Sequence, residues 1–183
     1  MLTPVFIICL FYDHPWSNFW ALTIFIIASI TDAYDGYYAR KYNMVTPEGK
    51  FLDPLADKIL VLSAFISFAI IGVIAYWMVA IIIFRDLFIT GLRMAMNQKG
   101  LEMVTSKVAK AKTVVQLVII ILTLIYLGIN SLTLPWTSEV LKIITSYKII
   151  YNFTLIATLF TAFTGFNYLY SNREAITGFL TNE

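Results

Sequence analysis

Cysteine and histidine are almost missing from this 183-residue chain, where Cys9 and His14 each stand alone. A single cysteine rules out an intrachain disulfide, and Cys9 reads as a small apolar packing residue. One histidine leaves no zinc spacing, and His14, beside Asp13 in a turn, reads as a solvated loop side chain. Charge is scarce as well, at 13% of residues against 60% hydrophobic. That balance excludes a soluble domain. No internal repeat, low-complexity tract or linker divides the chain, and no basic stripe with interleaved aromatics supports nucleic-acid binding. The expectation is a single membrane-embedded domain over residues 1–183, an all-α polytopic bundle of six transmembrane helices.

The apolar runs set the spans. Residues 2–12 are too short for a hydrocarbon core of about 30 Å, which needs about 20 residues. They carry no basic leader or small-residue cleavage site, and read as the second half of a first helix truncated at its N-terminus. Asp13-His-Pro-Trp16 makes a turn, and Trp16 and Trp20 suit an interface belt. Further spans are expected at 17–40, 51–74, 77–97, 104–128 and 146–170, with polar connections at 41–50, Asn97–Gly100 and 129–145. In this arrangement Arg40, Lys41, Lys50, Lys58, Arg93, Lys99, Lys107, Lys110, Lys112 and Arg173 share one face. Only Lys142 and Lys148 fall on the other. The positive-inside rule makes the first face cytoplasmic, with both termini there. The localisation expected is the cytoplasmic membrane, multi-pass.

Four carboxylates interrupt these runs between residues 31 and 58: Asp32, Asp35, Asp53 and Asp57. An acid in a membrane segment costs about 2.5–3.5 kcal/mol at mid-bilayer, and too few cations lie nearby to pair with all four. Asp32 and Asp35 are three apart and share a helix face, close to Gly36 and Ala39, with Arg40 following. Gly49, Asp53 and Asp57 step by four along the next helix. Pro54 fits if it lies in that helix's first turn. Small residues on both stripes permit close approach, and oxygen ligands suit hard divalent cations. Helix packing, or a proton or ion path, would also use intramembrane acids.

The stretch reads D-x-x-D-G-x-x-A-R, eight residues, then G-x-x-x-D-x-x-x-D. It resembles the signature of the CDP-alcohol phosphotransferase (CDP-alcohol phosphatidyltransferase) family of integral membrane enzymes, with all of Asp32, Asp35, Gly36, Ala39, Arg40, Gly49, Asp53 and Asp57 in place. The resemblance implies two divalent cations, Mg or Mn, held by Asp32, Asp35, Asp53 and Asp57. It implies a CDP-linked lipid, most often CDP-diacylglycerol, bound by Asp32, Gly36, Ala39, Arg40 and Gly49. By the same analogy Asp57 is the general base that takes the acceptor's hydroxyl proton, and the protein is a homodimer. The family usually carries an amphipathic lead-in before the point where this chain starts. No Ser, Cys or His stands out as a nucleophile, so direct displacement is expected.

A second basic cluster bears on the acceptor. Arg93 is expected near Lys110 and Lys112, with Arg85 extending the set inward, and such cations suit an acceptor carrying phosphate. Arg85-Asp-Leu-Phe-Ile-Thr-Gly-Leu-Arg93 and Ser106-Lys-Val-Ala-Lys-Ala-Lys-Thr113 resemble the phosphatidylglycerophosphate synthase branch, apart from Ala109 where that branch often has Gly. The branch's acceptor is sn-glycerol 3-phosphate, and its products are phosphatidylglycerophosphate and CMP. Other readings stand beside this one. Arg85 and Asp86 could be an internal ion pair holding helices together, the lysines could anchor anionic lipid, and Arg40 could snorkel to lipid phosphate. Within the family the acceptor could be inositol phosphate or serine. Outside it, the acids could serve a metal or proton transporter.

Overall fold

Pro47 and Gly72 show how local chemistry sets the helix limits. In the computed structural model, which describes residues 2–42, 47–100, 107–132 and 137–181, the second long helix opens at Pro47. Proline's fixed φ suits a first helical position and its missing N–H costs nothing there. The same helix closes at Ile70 on Gly72, at φ +84°, where the Val73 N–H donates to the Phe68 carbonyl at 3.0 Å and the Gly72 N–H to Ala69 at 3.0 Å. Those paired bonds are a Schellman ending, which wants glycine at the left-handed position. Within the helices, the side chains at 33, 36, 37, 39, 40, 47–57, 107–110, 180 and 181 fall outside the described set.

Eight helices and no strand appear among the described residues: α1 (Thr3–Phe11), α2 (Ser17–Lys41), α3 (Pro47–Ile70), α4 (Tyr76–Gln98), α5 (Lys107–Ser131), α6 (Thr137–Ser146), α7 (Ile149–Ser171) and α8 (Arg173–Thr181). The all-α expectation holds, and α2, α4 and α7 lie within a few residues of the spans read from hydropathy. Two findings depart from that reading. Pro54 lies inside α3 rather than in its first turn, because Pro47 starts the helix earlier. The connection at 129–145, expected to be polar and irregular, contains α6, with Glu139 in its first turn and Val140, Leu141, Ile143 and Ile144 spaced for one apolar face. Lys148, at φ +47°, then turns the chain into α7, and the Asn152 amide donates to the Tyr147 carbonyl at 3.0 Å.

Helix α1 packs on α2 and α3, α2 on α5, α3 on α4, and α7 on both α4 and α5. Phe6, Phe25, Phe65, Phe68, Ile82, Ile120 and Leu124 fill the centre, with the Phe6 and Phe25 rings 5.6 Å apart. Helix α7 inverts the pattern of a water-soluble helix. Its buried positions are Thr154, Ala157, Thr158, Thr161, Thr164, Gly165 and Tyr168, while Phe153, Ile156, Leu159, Phe163 and Phe166 are exposed, Phe166 to 75%. Thr154 and Thr158 return their hydroxyls to the carbonyls four residues back at 2.8 Å, which satisfies them and keeps the face slim. Small inward residues with large apolar ones outward are what a lipid solvent selects.

Among the described residues, two helical segments, Ala111–Ser131 and Ile149–Ser171, are long and apolar enough to cross a membrane. Within the same set, α2 and α3 contribute the shorter apolar segments Ser17–Asp32 and Lys58–Ile70. Helices α2 and α5 approach closely at Gly128, where an added Cβ would meet the Phe19 ring at 3.0–3.1 Å. Gly128→Leu is expected to lower stability by about 1–3 kcal/mol through overpacking, read as a reduced thermal midpoint in detergent, and an unchanged midpoint would refute the tight α2–α5 seam.

Candidate functional site

The two halves of the acidic motif occupy neighbouring, packed helices. Asp32 and Asp35 lie in the last turns of α2, three residues apart and so on one face; Asp32 is half-buried and Asp35 exposed. Beside them Tyr34, Tyr38 and Tyr42 form an exposed ladder, with ring centroids 4.9 and 5.2 Å apart. The backbone of Gly49, Asp53 and Asp57 runs through the first turns of α3 at four-residue steps, and α3 packs on α2. The side chains of Gly36, Ala39, Arg40, Gly49, Asp53, Asp57 and Lys110 lie outside the described residues. Among the described residues no group of three or more metal-ligating side chains converges, and two of the four acids are not in that set.

The second cluster is built where α4, α5 and α7 meet. Asp86 of α4 and Lys112 of α5 form a salt bridge, each side chain only 3% exposed. The same Asp86 oxygen, Oδ1, accepts from Arg85 Nη1 at 3.1 Å, while Oδ2 accepts from the Gln116 amide at 3.4 Å. Both carboxylate oxygens are therefore committed. Arg85, 11% exposed, reaches α7 as well, with Nη2 donating to Thr164 Oγ1 at 3.2 Å. Its Nε is a buried donor without a partner among the described residues. Two turns on, Arg93 Nε donates to the Tyr168 hydroxyl at 3.2 Å, with the guanidinium carbon 5.4 Å from the ring centre.

The expected basic residues are thus brought together in part. Asp86 joins Arg85 to Lys112, and Arg93 is fastened to α7 near the same end of the bundle. Lys58, which follows Asp57 in α3, is close enough to Asp86 for their charges to interact, so the basic cluster and the acid-bearing helices are neighbours. Arg85 and Lys112 against Asp86 leave one positive charge, and Arg93 adds a second. The internal ion pair weighed for Arg85 exists, and it coexists with surplus positive charge rather than consuming it.

Asp86 as the hub, Gln116, and the α7 residues Thr164, Gly165 and Tyr168 had no functional role in the sequence reading. A usable signal was present. Thr161, Thr164, Gly165, Tyr168 and Asn172 repeat at three- and four-residue steps in a helix otherwise rich in Phe, Leu and Ile, marking a polar face that needs partners.

The CDP-alcohol phosphatidyltransferase family model matches residues 1–160. A CDP-diacylglycerol–glycerol-3-phosphate 3-phosphatidyltransferase of Bacillus subtilis is 34% identical over 188 residues, covering 96% of this chain and 91% of the relative. A protein of the same name in Rickettsia bellii is 36% identical over 153 residues, 79% of this chain and 84% of its own length. A probable phosphatidylglycerophosphate synthase of Mycobacterium tuberculosis is 41% identical over 123 residues, 66% of this chain and 58% of the relative. The matched span takes in both acid-bearing helices and the α4–α5 ion cluster, and on it the chain belongs to the CDP-alcohol phosphatidyltransferase family.

Proposed function

We propose that this chain transfers the phosphatidyl group of CDP-diacylglycerol to sn-glycerol 3-phosphate, giving phosphatidylglycerophosphate and CMP. The observation that carries the acceptor is the buried α4–α5 cluster beside α3. Its surplus of positive charge, from Arg85, Lys112 and Arg93 against Asp86, suits a phosphate monoester. Arg85 Nε, a buried donor without a partner among the described residues, is the kind of group a phosphate oxygen satisfies. Serine, a zwitterion without net charge, would leave this charge uncompensated. The names carried by the relatives point to the same acceptor.

In this reading Asp32, Asp35, Asp53 and Asp57 hold two divalent cations, Mg or Mn; the all-oxygen donor set and the packing of α2 on α3 fit hard cations. Bound there, the ions supply charge neutralisation for a diphosphate and its departing CMP. Gly36, Ala39 and Gly49 leave room for the nucleotide, and Arg40 donates to its phosphate or ribose. Arg85, Arg93, Lys110 and Lys112 orient glycerol 3-phosphate. Asp57 accepts the proton of its attacking hydroxyl. The new P–O bond forms as the bond to CMP breaks, with no covalent enzyme intermediate. We further propose that α1 to α5 and α7 are six membrane segments, with the acid-bearing ends cytoplasmic, as the Lys and Arg distribution supports, and that the protein is a homodimer.

Purified protein in detergent, given CDP-diacylglycerol and Mg or Mn, is expected to release CMP when glycerol 3-phosphate is present and far less with inositol phosphate or serine. Asp57→Asn is expected to lose this activity. Release with another acceptor moves the assignment within the family, and metal flux in vesicles without CMP release favours a transporter. Lys110→Ala is expected to raise KM for glycerol 3-phosphate about tenfold, the loss of one charge-assisted contact, and an unchanged KM would remove Lys110 from the acceptor site. Lys112→Ala, by leaving Asp86 short of a cation, should also cost about 3–5 kcal/mol of stability, read from the melting midpoint in detergent.

A further inference from the structure

Helix α7 carries no acid, no lysine and no arginine between Ile149 and Ser171, yet its buried face meets both arginines of α4. The residues concerned, Thr164, Gly165 and Tyr168, lie beyond the 1–160 span of the family match. We propose that Gly165 and Tyr168 are positioning residues for the acceptor, setting the directions of Arg85 and Arg93. This deepens the proposed function and rests on it.

Gly165 works by having no side chain. A Cβ there would lie 2.9 Å from Arg85 Cγ and 3.4 Å from its Nε. The clash falls on the stem, close to the backbone, where the side chain cannot swing its tip aside. The tip is itself held at two points, Nη1 on Asp86 and Nη2 on Thr164. The Thr164 hydroxyl in turn donates to the Thr161 carbonyl at 2.8 Å, so it presents a lone pair to Arg85. Three constraints thus fix one guanidinium: a carboxylate from its own helix, and a hydroxyl and a glycine floor from α7. Displacing the stem breaks the other two contacts.

Tyr168 works by its hydroxyl. The side chain belongs to a residue only 3% exposed, so it has a fixed seat. Its oxygen accepts from Arg93 Nε and its ring lies beside the guanidinium. The nitrogen used is Nε, not one of the paired terminal nitrogens. A guanidinium held through Nε keeps its terminal pair for a bidentate oxyanion. Below Tyr168, the Asn172 amide donates to the Tyr168 carbonyl at 2.8 Å, which secures the last turn of α7. Gly165 and Tyr168 are three apart and face α4 together, as Arg85 and Arg93 are eight apart and face α7 together. The two pairs make one seam.

The test is steady-state CMP release by the full chain in detergent, varying glycerol 3-phosphate and CDP-diacylglycerol separately. Gly165→Ala is expected to raise KM for glycerol 3-phosphate about tenfold or more, with KM for CDP-diacylglycerol unchanged. Tyr168→Phe, which keeps the ring and removes one oxygen, is expected to raise the same KM about fivefold. Because both act through the arginines, Gly165→Ala in an Arg85→Ala background, and Tyr168→Phe in an Arg93→Ala background, should add less than about twofold. Additive losses, or a parallel rise in KM for the CDP-lipid, overturn the positioning role. If Gly165→Ala does not fold, the near-isosteric Tyr168→Phe pair decides alone. Wild-type protein that turns over with glycerol 3-phosphate while the pairs are additive sinks this inference only. Wild-type protein that releases no CMP with that acceptor sinks the functional reading and the positioning role with it.

Discussion

One buried carboxylate organises the polar half of this bundle. Asp86 accepts from Arg85, Lys112 and Gln116, drawing α4 and α5 together where neither could otherwise bury its charge. A lone ion at that depth costs several kcal/mol, and pairing recovers this only when the remaining hydrogen-bond capacity is also met. Both oxygens of Asp86 meet that condition. The pairing also explains how an arginine and a lysine are accommodated between helices that are otherwise largely apolar. With Asp86 absorbing one positive charge, the group avoids mutual repulsion and still carries a net charge of the sign an anionic acceptor needs.

That constraint dictates what α7 can be. A helix facing a buried guanidinium must be slim enough to let the arginine stem pass and polar enough to receive its donors. Gly165 meets the first need and Thr164 the second. The rest of the inward face follows suit with threonines that satisfy themselves on their own backbone. The outward face is then free to be Phe, Leu and Ile. The inverted pattern of α7 is therefore a consequence of the ion cluster as much as of the lipid.

The legibility of the chain follows the same division. Helices α2, α4 and α7 could be placed from hydropathy because long apolar runs have few alternatives. The acid motif pointed to the family because fixed spacing of scarce residues carries much information, and the family match over residues 1–160 bears out that membership. Helix α6 was hidden. Its ten residues hold Thr, Ser, Glu and Lys beside four aliphatics, and average polarity masked the periodicity. The partnership of Arg85 with α7 was hidden for a different reason. It spans 79 residues of sequence, and nothing local to either segment names the other. Asp86 was noticed only as Arg85's neighbour, since one-residue spacing suggests a pair and cannot reveal that Lys112 and Gln116 converge on it.

The short apolar parts of α2 and α3 are informative about where the chemistry lies. In the sequence, the uncharged run of α2 ends just before Asp32, and that of α3 begins just after Lys58. The four acids thus occupy the turns between two apolar ends, at the margin of whatever apolar layer those helices enter. Lys58 ties that margin to Asp86 electrostatically, and Asp86 ties it to Arg85 and through it to α7. A reaction between a lipid-linked diphosphate and a water-soluble phosphate ester requires such a margin, because one substrate is confined to the bilayer and the other is excluded from it. On the proposed reading, the ion cluster is what brings acceptor and donor to a common depth.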